Sequence, residues 1–326
     1  MRTTQRSSAS ILTPAAALAV ALVSLMLLAL PVAAQAVLLR PRVSTGAAVA
    51  VSYGSATFTG SIDPRGSNTS YYFQYGPTRA FGAQTPVASA GAGLSTVRVT
   101  FPVGGLQPIT TYFFRLVAVN AVGAATGGER AFRTVKVPLS LAILAAPNPT
   151  LYGGVVTIQG TLSGTGNGGV PVRLQANPFP YTQGFADTGN PELTTAAGGF
   201  SFPFVGLTQA TQFRVVTSTR VPVVSPVAVE GVAVRVEAHV GRTHRRHHAR
   251  IYGTVTPAVN GMEVAIMRIT GGRNTLVAGT ILRPRNGTTS RFSRVVRVRH
   301  GAVYRVFVKV TNGAQTSNYS EPLFIR

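Results

Sequence analysis

Between residues 105 and 123 (GLQPITTYFFRLVAVNAVG) the chain alternates with period two. Tyr112, Phe114, Leu116 and Ala118 fall on one face, and Phe113, Arg115, Val117 and Val119 on the other, which predicts a strand with one side in a core. Pro108 ends the loop before it. The same signal recurs in short runs at 56–63, 70–75, 96–101 and 129–134, separated by turn residues such as Pro64, Arg65 and Gly66 or Gly76 and Pro77. Tyr71, Phe73 and Tyr75 share a face and are expected to pack under Tyr112 and Phe114. No stretch carries a helical period, and 35 Gly and 21 Pro are spread along the chain, so the reading is all-β with short strands.

Further along, two segments superimpose on each other, the mark of tandem modules. Ile158, Gly160 and Leu162 match Ile251, Gly253 and Val255, while Gly169, Val172 and Leu174 match Gly261, Val264 and Ile266. Phe200 and Phe202 have a counterpart near Phe292, Phe213 and Val215 match Tyr304 and Val306, and Ser225 matches Ser320. Phe58, Gly60 and Ile62 carry the same signature near the start. One sandwich pattern therefore occurs three times. The expected organisation is three tandem β-sandwiches at 40–135, 136–230 and 231–326, with Lys136, Val137 and Pro138 as a short linker and protease-accessible junctions near 135 and 230.

Leu106, Pro108, Thr110 and Tyr112 form an L-x-P-x-T-x-Y run. It resembles the fibronectin type III family, in which the tyrosine bonds back to upstream backbone as a tyrosine corner. The resemblance implies that Leu106, Pro108 and Tyr112 are structural residues and that the first module is a sandwich; it implies no chemistry. The second and third modules resemble bacterial immunoglobulin-like surface modules in pattern.

Arg2 and Arg6 precede an almost wholly apolar run from 11 to 30, followed by Pro31 and an A-x-A pattern at Ala34, Gln35 and Ala36. This reads as a signal peptide over 1–36, cleaved by signal peptidase during export, with an uncleaved membrane anchor as the alternative. The expected location is extracellular, at the cell surface. With no Cys in the chain, disulfides and thiolate metal sites are excluded, so each module is held by packing alone.

No Ser, His and Asp set with a supporting G-x-S-x-G motif occurs, and no Gly-rich phosphate loop, so neither catalysis nor a small-molecule cofactor is expected. Asp187 and Glu192 lie in a Gly/Pro-rich insertion and read as solvated loop carboxylates. His244, His247 and His248 stand among four arginines, whose charge repels a metal cation, so no metal site is expected there.

Charge is the property distributed unevenly. From Arg235 to Arg326 sixteen Arg and Lys face Glu237, Glu263 and Glu321, a net of +13, whereas the middle module is nearly neutral. Such a surplus attracts polyanions at a distance with salt-sensitive affinity. The candidate residues are Arg242, Arg245, Arg246 and Arg250, in a loop before a strand starting at Ile251, with Arg297 and Arg299 outward on one strand and Arg305 and Lys309 on the next. The expected partners are acidic wall polymers, polysaccharide or extracellular nucleic acid. The function expected from sequence is that of a non-catalytic surface module for adhesion, spacing or acidic-polymer binding. The alternative is an accessory substrate-binding protein of an extracellular polymer-degrading enzyme system.

Overall fold

The structure, a computed structural model, describes residues 38–325; the expected signal peptide lies outside them. Every regular element among the described residues is a strand. No helix among them is long and apolar enough to cross a membrane. The chain divides into two compact units, parting between Val135 and Lys136.

In the first unit, strands Arg42–Thr45, Ser55–Asp63 and Val97–Gly104 form one antiparallel sheet. The other sheet is centred on Thr69–Gly76 paired with Thr111–Asn120. Period-two alternation sends Phe58 from the first sheet and Phe73 and Phe114 from the second into one core, where all three are wholly buried. Phe58 stacks on Phe114 at 4.4 Å between ring centroids, and Tyr71, Tyr75 and Tyr112 close the cluster. The Tyr112 hydroxyl accepts the Gln107 amide at 3.0 Å, tying the strand to the turn before it. Gly60 is small because Leu116 lies over it: a Cβ there would meet Leu116 Cδ2 at 2.5 Å and the Ser44 carbonyl at 2.9 Å.

The second unit holds two cores. In the first, the sheet Ser140–Ala146, Gly154–Ser163, Gly199–Leu207 covers the sheet built on Pro171–Pro178 and Thr211–Thr217. In the second, strands Arg235–Arg242, His248–Thr256, Ser290–Arg297 and Arg283–Pro284 cover a sheet built on Glu263–Thr270 and Val303–Lys309. All pairing within these sheets is antiparallel.

The sequence repeat has a physical counterpart at several of its matched positions. Gly160 pairs with Phe200 and Gly253 with Phe292, and in both copies the phenyl ring lies over the glycine; a Cβ at Gly253 would meet Phe292 Cζ at 2.8 Å. Ser225 Oγ accepts the Val215 amide at 2.9 Å, and Ser320 Oγ accepts the Val306 amide at 3.0 Å. Tyr304 repeats the geometry of Tyr112, its hydroxyl accepting the Arg299 amide at 3.0 Å. Phe213, at the matched position, has no hydroxyl to do this. Tyr304→Phe is expected to cost about 1 kcal/mol, the usual net worth of one hydrogen bond. Chemical denaturation checks it: an unchanged midpoint would show that water replaces the hydroxyl.

In the second unit two expectations about strands and junctions differ from the structure. Asp187 and Glu192 are not in a loop but on the edge strand Ala186–Leu193, where Arg173 and Gln175 each donate to Asp187 at 2.7 Å. An exposed edge strand has no buried face, so it shows no alternation. The junction near 230 is also not an open linker. Val232 is wholly buried in one core of the unit and Val234 in the other, so successive inward side chains of one extended segment anchor both sandwiches. Backbone bonds hold the segment on two sides: Thr150 donates to Gly231 and Tyr152 to Ala233, while Thr316 donates to Val232 and Val234 to Thr316.

Glu230 begins this segment. It is wholly buried, with Oε1 accepting the Thr150 amide at 2.9 Å and Oε2 without a partner among the described residues. Desolvation, only partly offset by the Thr150 bond, raises its pKa from 4.5 to about 7. A raised carboxyl pKa means the fold favours the protonated form. Its contribution to stability is therefore complete below the unfolded value near 4.5 and is lost as pH rises through about 7. The melting temperature of the 136–325 unit should fall over that window, and Glu230→Gln should flatten the fall. A wild-type curve already flat across it would contradict the assignment.

Candidate polyanion-binding face

The basic residues predicted from sequence do not form one cluster. Arg242 and Arg250 lie on adjacent strands of one hairpin rather than in a loop, because the second strand begins at His248 and not at Ile251. Residues 243–247 are the turn, and Arg245 and Arg246 stand exposed at its tip. Arg299 lies past the end of its strand, which stops at Arg297, in the turn that Tyr304 secures. Arg305 and Lys309 belong to the opposite sheet and are engaged there. The Arg305 guanidinium sits 3.8 Å from the Tyr319 ring centroid, and Lys309 pairs with Glu263 at 3.6 Å.

Arg250 and Arg297 are the pair that register brings to one outward face. His248 is opposite Arg297, Tyr252 opposite Ser293 and Thr254 opposite Arg291, so these six side chains share the solvent side of the sheet. On the next strand His239 lies opposite Tyr252, and on the far edge Arg283 lies opposite Arg291. The buried alternates, Ala249, Ile251, Val255, Phe292 and Val296, explain why this face points outward: they fill the core on the other side.

A groove of about 810 Å³ runs over this face. Arg250, Arg283, Arg285, Arg291 and Arg294 line it, with Glu237 as its one acid among the described residues. Among the described residues none of these five guanidinium groups has a carboxylate within 4.0 Å. Arg250 is held in place: Nε donates to Ser293 Oγ at 2.8 Å, and the guanidinium lies 5.1 Å from the Tyr252 ring centroid. His239 packs on the same ring at 5.7 Å. Arg283 and Arg291 are direct cross-strand neighbours, an arrangement that is destabilising for like charges unless something negative lies between them.

Four of the five groove arginines were not singled out by sequence. Arg291 and Arg297 share the face with Ser293 and Val295 by simple alternation, a signal visible in the chain. Arg283 and Arg285 join them only through the short strand Arg283–Pro284, whose pairing no local pattern announces. Among the described residues no group of three or more His, Asp or Glu is placed to hold a metal ion.

No family model matches the chain, and no curated protein matches it. Among solved structures it is similar to the chicken CNTN1 FN1–FN3 domains, at 14% identity over 87% of this chain and 94% of that one, with a TM-score of 0.31. It is similar to a run of titin domains at 16% identity, over 87% and 98% of the two chains, with a TM-score of 0.36. A tetra-tandem repeat from the extending region of a large adhesion protein shares 14% identity over 88% and 74%, with a TM-score of 0.28. Likeness at this level carries no argument about ligands, and the sandwich assignment rests on the chain's own sheets and cores.

Proposed function

We propose that this protein is a secreted or surface-held, non-catalytic string of three β-sandwich modules, at 40–135, 136–230 and 231–326, whose third module binds acidic polymers. The observation that supports the reading is the groove lined by five guanidinium groups with no carboxylate of the described residues within 4.0 Å of any of them. Two are forced together across a strand pair. In water such a face carries a counterion atmosphere, and a polyanion that displaces it gains the entropy of the released ions. Guanidinium forks suit the anionic oxygens of carboxylate, sulfate or phosphate equally.

The test uses the full mature chain against a polyuronate and a single-stranded oligonucleotide over a salt series. Affinity is expected to fall steeply with salt. The variant Arg250→Ser/Arg283→Ser/Arg291→Ser should bind more weakly, with a log–log salt slope on the oligonucleotide shallower by about 0.7 for each phosphate that is no longer neutralised. Absence of binding at low salt, or equal binding by the variant, would remove the reading. The contrasting variant Arg305→Ser/Lys309→Ser, on the opposite sheet, should leave affinity unchanged.

A further inference from the structure

We infer that the groove selects an acidic polysaccharide rather than a nucleic acid; this rests on the acidic-polymer reading above and names the polymer class within it. The groove is concave. A duplex is read by an element that enters one of its grooves, which needs a convex helix or ribbon, and here the protein supplies the cleft. Single-stranded nucleic acid is bound along a basic track carrying several aromatic side chains on which successive bases stack. On this face Tyr252 and His239 pack ring against ring at 5.7 Å between centroids, Arg250 lies against Tyr252 as well, and Phe292, which also lines the groove, is buried in the core, so Tyr252 offers a single platform. It can lie against one ring of a ligand but cannot receive a column of bases.

What surrounds Tyr252 suits a sugar acid. Thr254 and Ser293 place hydroxyls beside the ring on the same outward face, and Thr280 adds a third at the groove wall. Each hydroxyl both donates and accepts, as sugar hydroxyls do. The arginines are arranged around this centre, in which the Thr254 hydroxyl donates to Glu237 Oε2 at 3.3 Å: Arg283 and Arg291 lie to one side and Arg250 to the other. A saccharide ring over Tyr252 and its hydroxyl neighbours would present the acidic groups of adjoining units to Arg283 and Arg291 on one side and to Arg250 on the other. At about 810 Å³ the groove lies within the range of roughly 300–1,000 Å³ that holds a drug-sized ligand, here a short oligomer segment rather than a whole polymer.

Titration of the full mature chain with a polyuronate, its carboxyl-reduced neutral form and oligothymidylate, all of matched length, tests this. At moderate salt the polyuronate should bind at least tenfold more tightly than oligothymidylate. Tyr252→Ala should weaken polyuronate binding severalfold, leaving oligothymidylate affinity and both salt slopes unchanged. The neutral form should bind weakly, and Tyr252→Ala should abolish what remains. Equal or tighter binding of oligothymidylate, or an equal effect of Tyr252→Ala on both polymers, would overturn the polysaccharide assignment while leaving the acidic-polymer reading intact. Failure of both charged polymers to bind would overturn both.

Discussion

Replacing Phe58 with Ala should unfold the 38–135 unit at a markedly lower temperature than wild type and leave the transition of the other unit in place. Phe58 is wholly buried and touches four other aromatic rings: Phe114 stacked at 4.4 Å, and Phe73, Tyr75 and Phe132 between 5.5 and 5.7 Å. Truncation removes its transfer free energy and opens a cavity that rings on both sheets cannot fill, a combination that costs about 3–5 kcal/mol. For a domain of this size each kcal/mol moves the midpoint by about 4–8 °C. Scanning calorimetry of the full chain reads both transitions at once. A shift equivalent to less than about 1 kcal/mol would mean that the ring is not at the centre of the packing.

The second large effect is expected at the segment joining the two cores of the 136–325 unit. Val232→Ala and Val234→Ala each remove apolar surface from a different core, and burying a Val contributes about 1.5–3 kcal/mol. Because both residues lie on one backbone segment bonded on two sides, damage at either core loosens the hold on the other. Both single variants should therefore lower one shared transition. A melt that splits into two steps, with each variant affecting its own, would show that the sandwiches unfold independently. The same geometry predicts that trypsin cuts after the exposed Lys136 and at the Arg245–Arg246 turn before it cuts at Arg235, whose strand is paired along its length.

How much of this was legible in the chain depended on whether a feature leaves a local trace. The strand at Thr111–Asn120 is written in its alternation, and Tyr112 fixes its turn through a bond five residues away, so both were readable. The repeat was readable because its glycines and phenylalanines meet across a strand pair and constrain each other at fixed spacing. The groove was not. Arg283 lies beside Arg291 because of sheet register, and register between strands joined by a loop is set by packing on the other face. The buried junction was missed for the opposite reason: Val232 and Val234 alternate like any strand, and nothing local says that they belong to two different cores. Asp187 misled because an edge strand without a buried side looks like a loop.

The Phe213 position carries a consequence for how such a protein is assembled. Where Tyr112 and Tyr304 use a hydroxyl to secure the preceding turn from within, the turn before Phe213 is secured by the next sandwich. The Ala210 amide donates to Ala314, and Thr208 accepts from Gln315 Nε2. A copy with its own tyrosine is self-sufficient at that turn, whereas the copy with phenylalanine depends on its neighbour. The modules are thus alike in pattern but not interchangeable in order. Placing the middle sandwich last would leave the Ala210 amide without its Ala314 acceptor, so the order of these two sandwiches is tied to their contact.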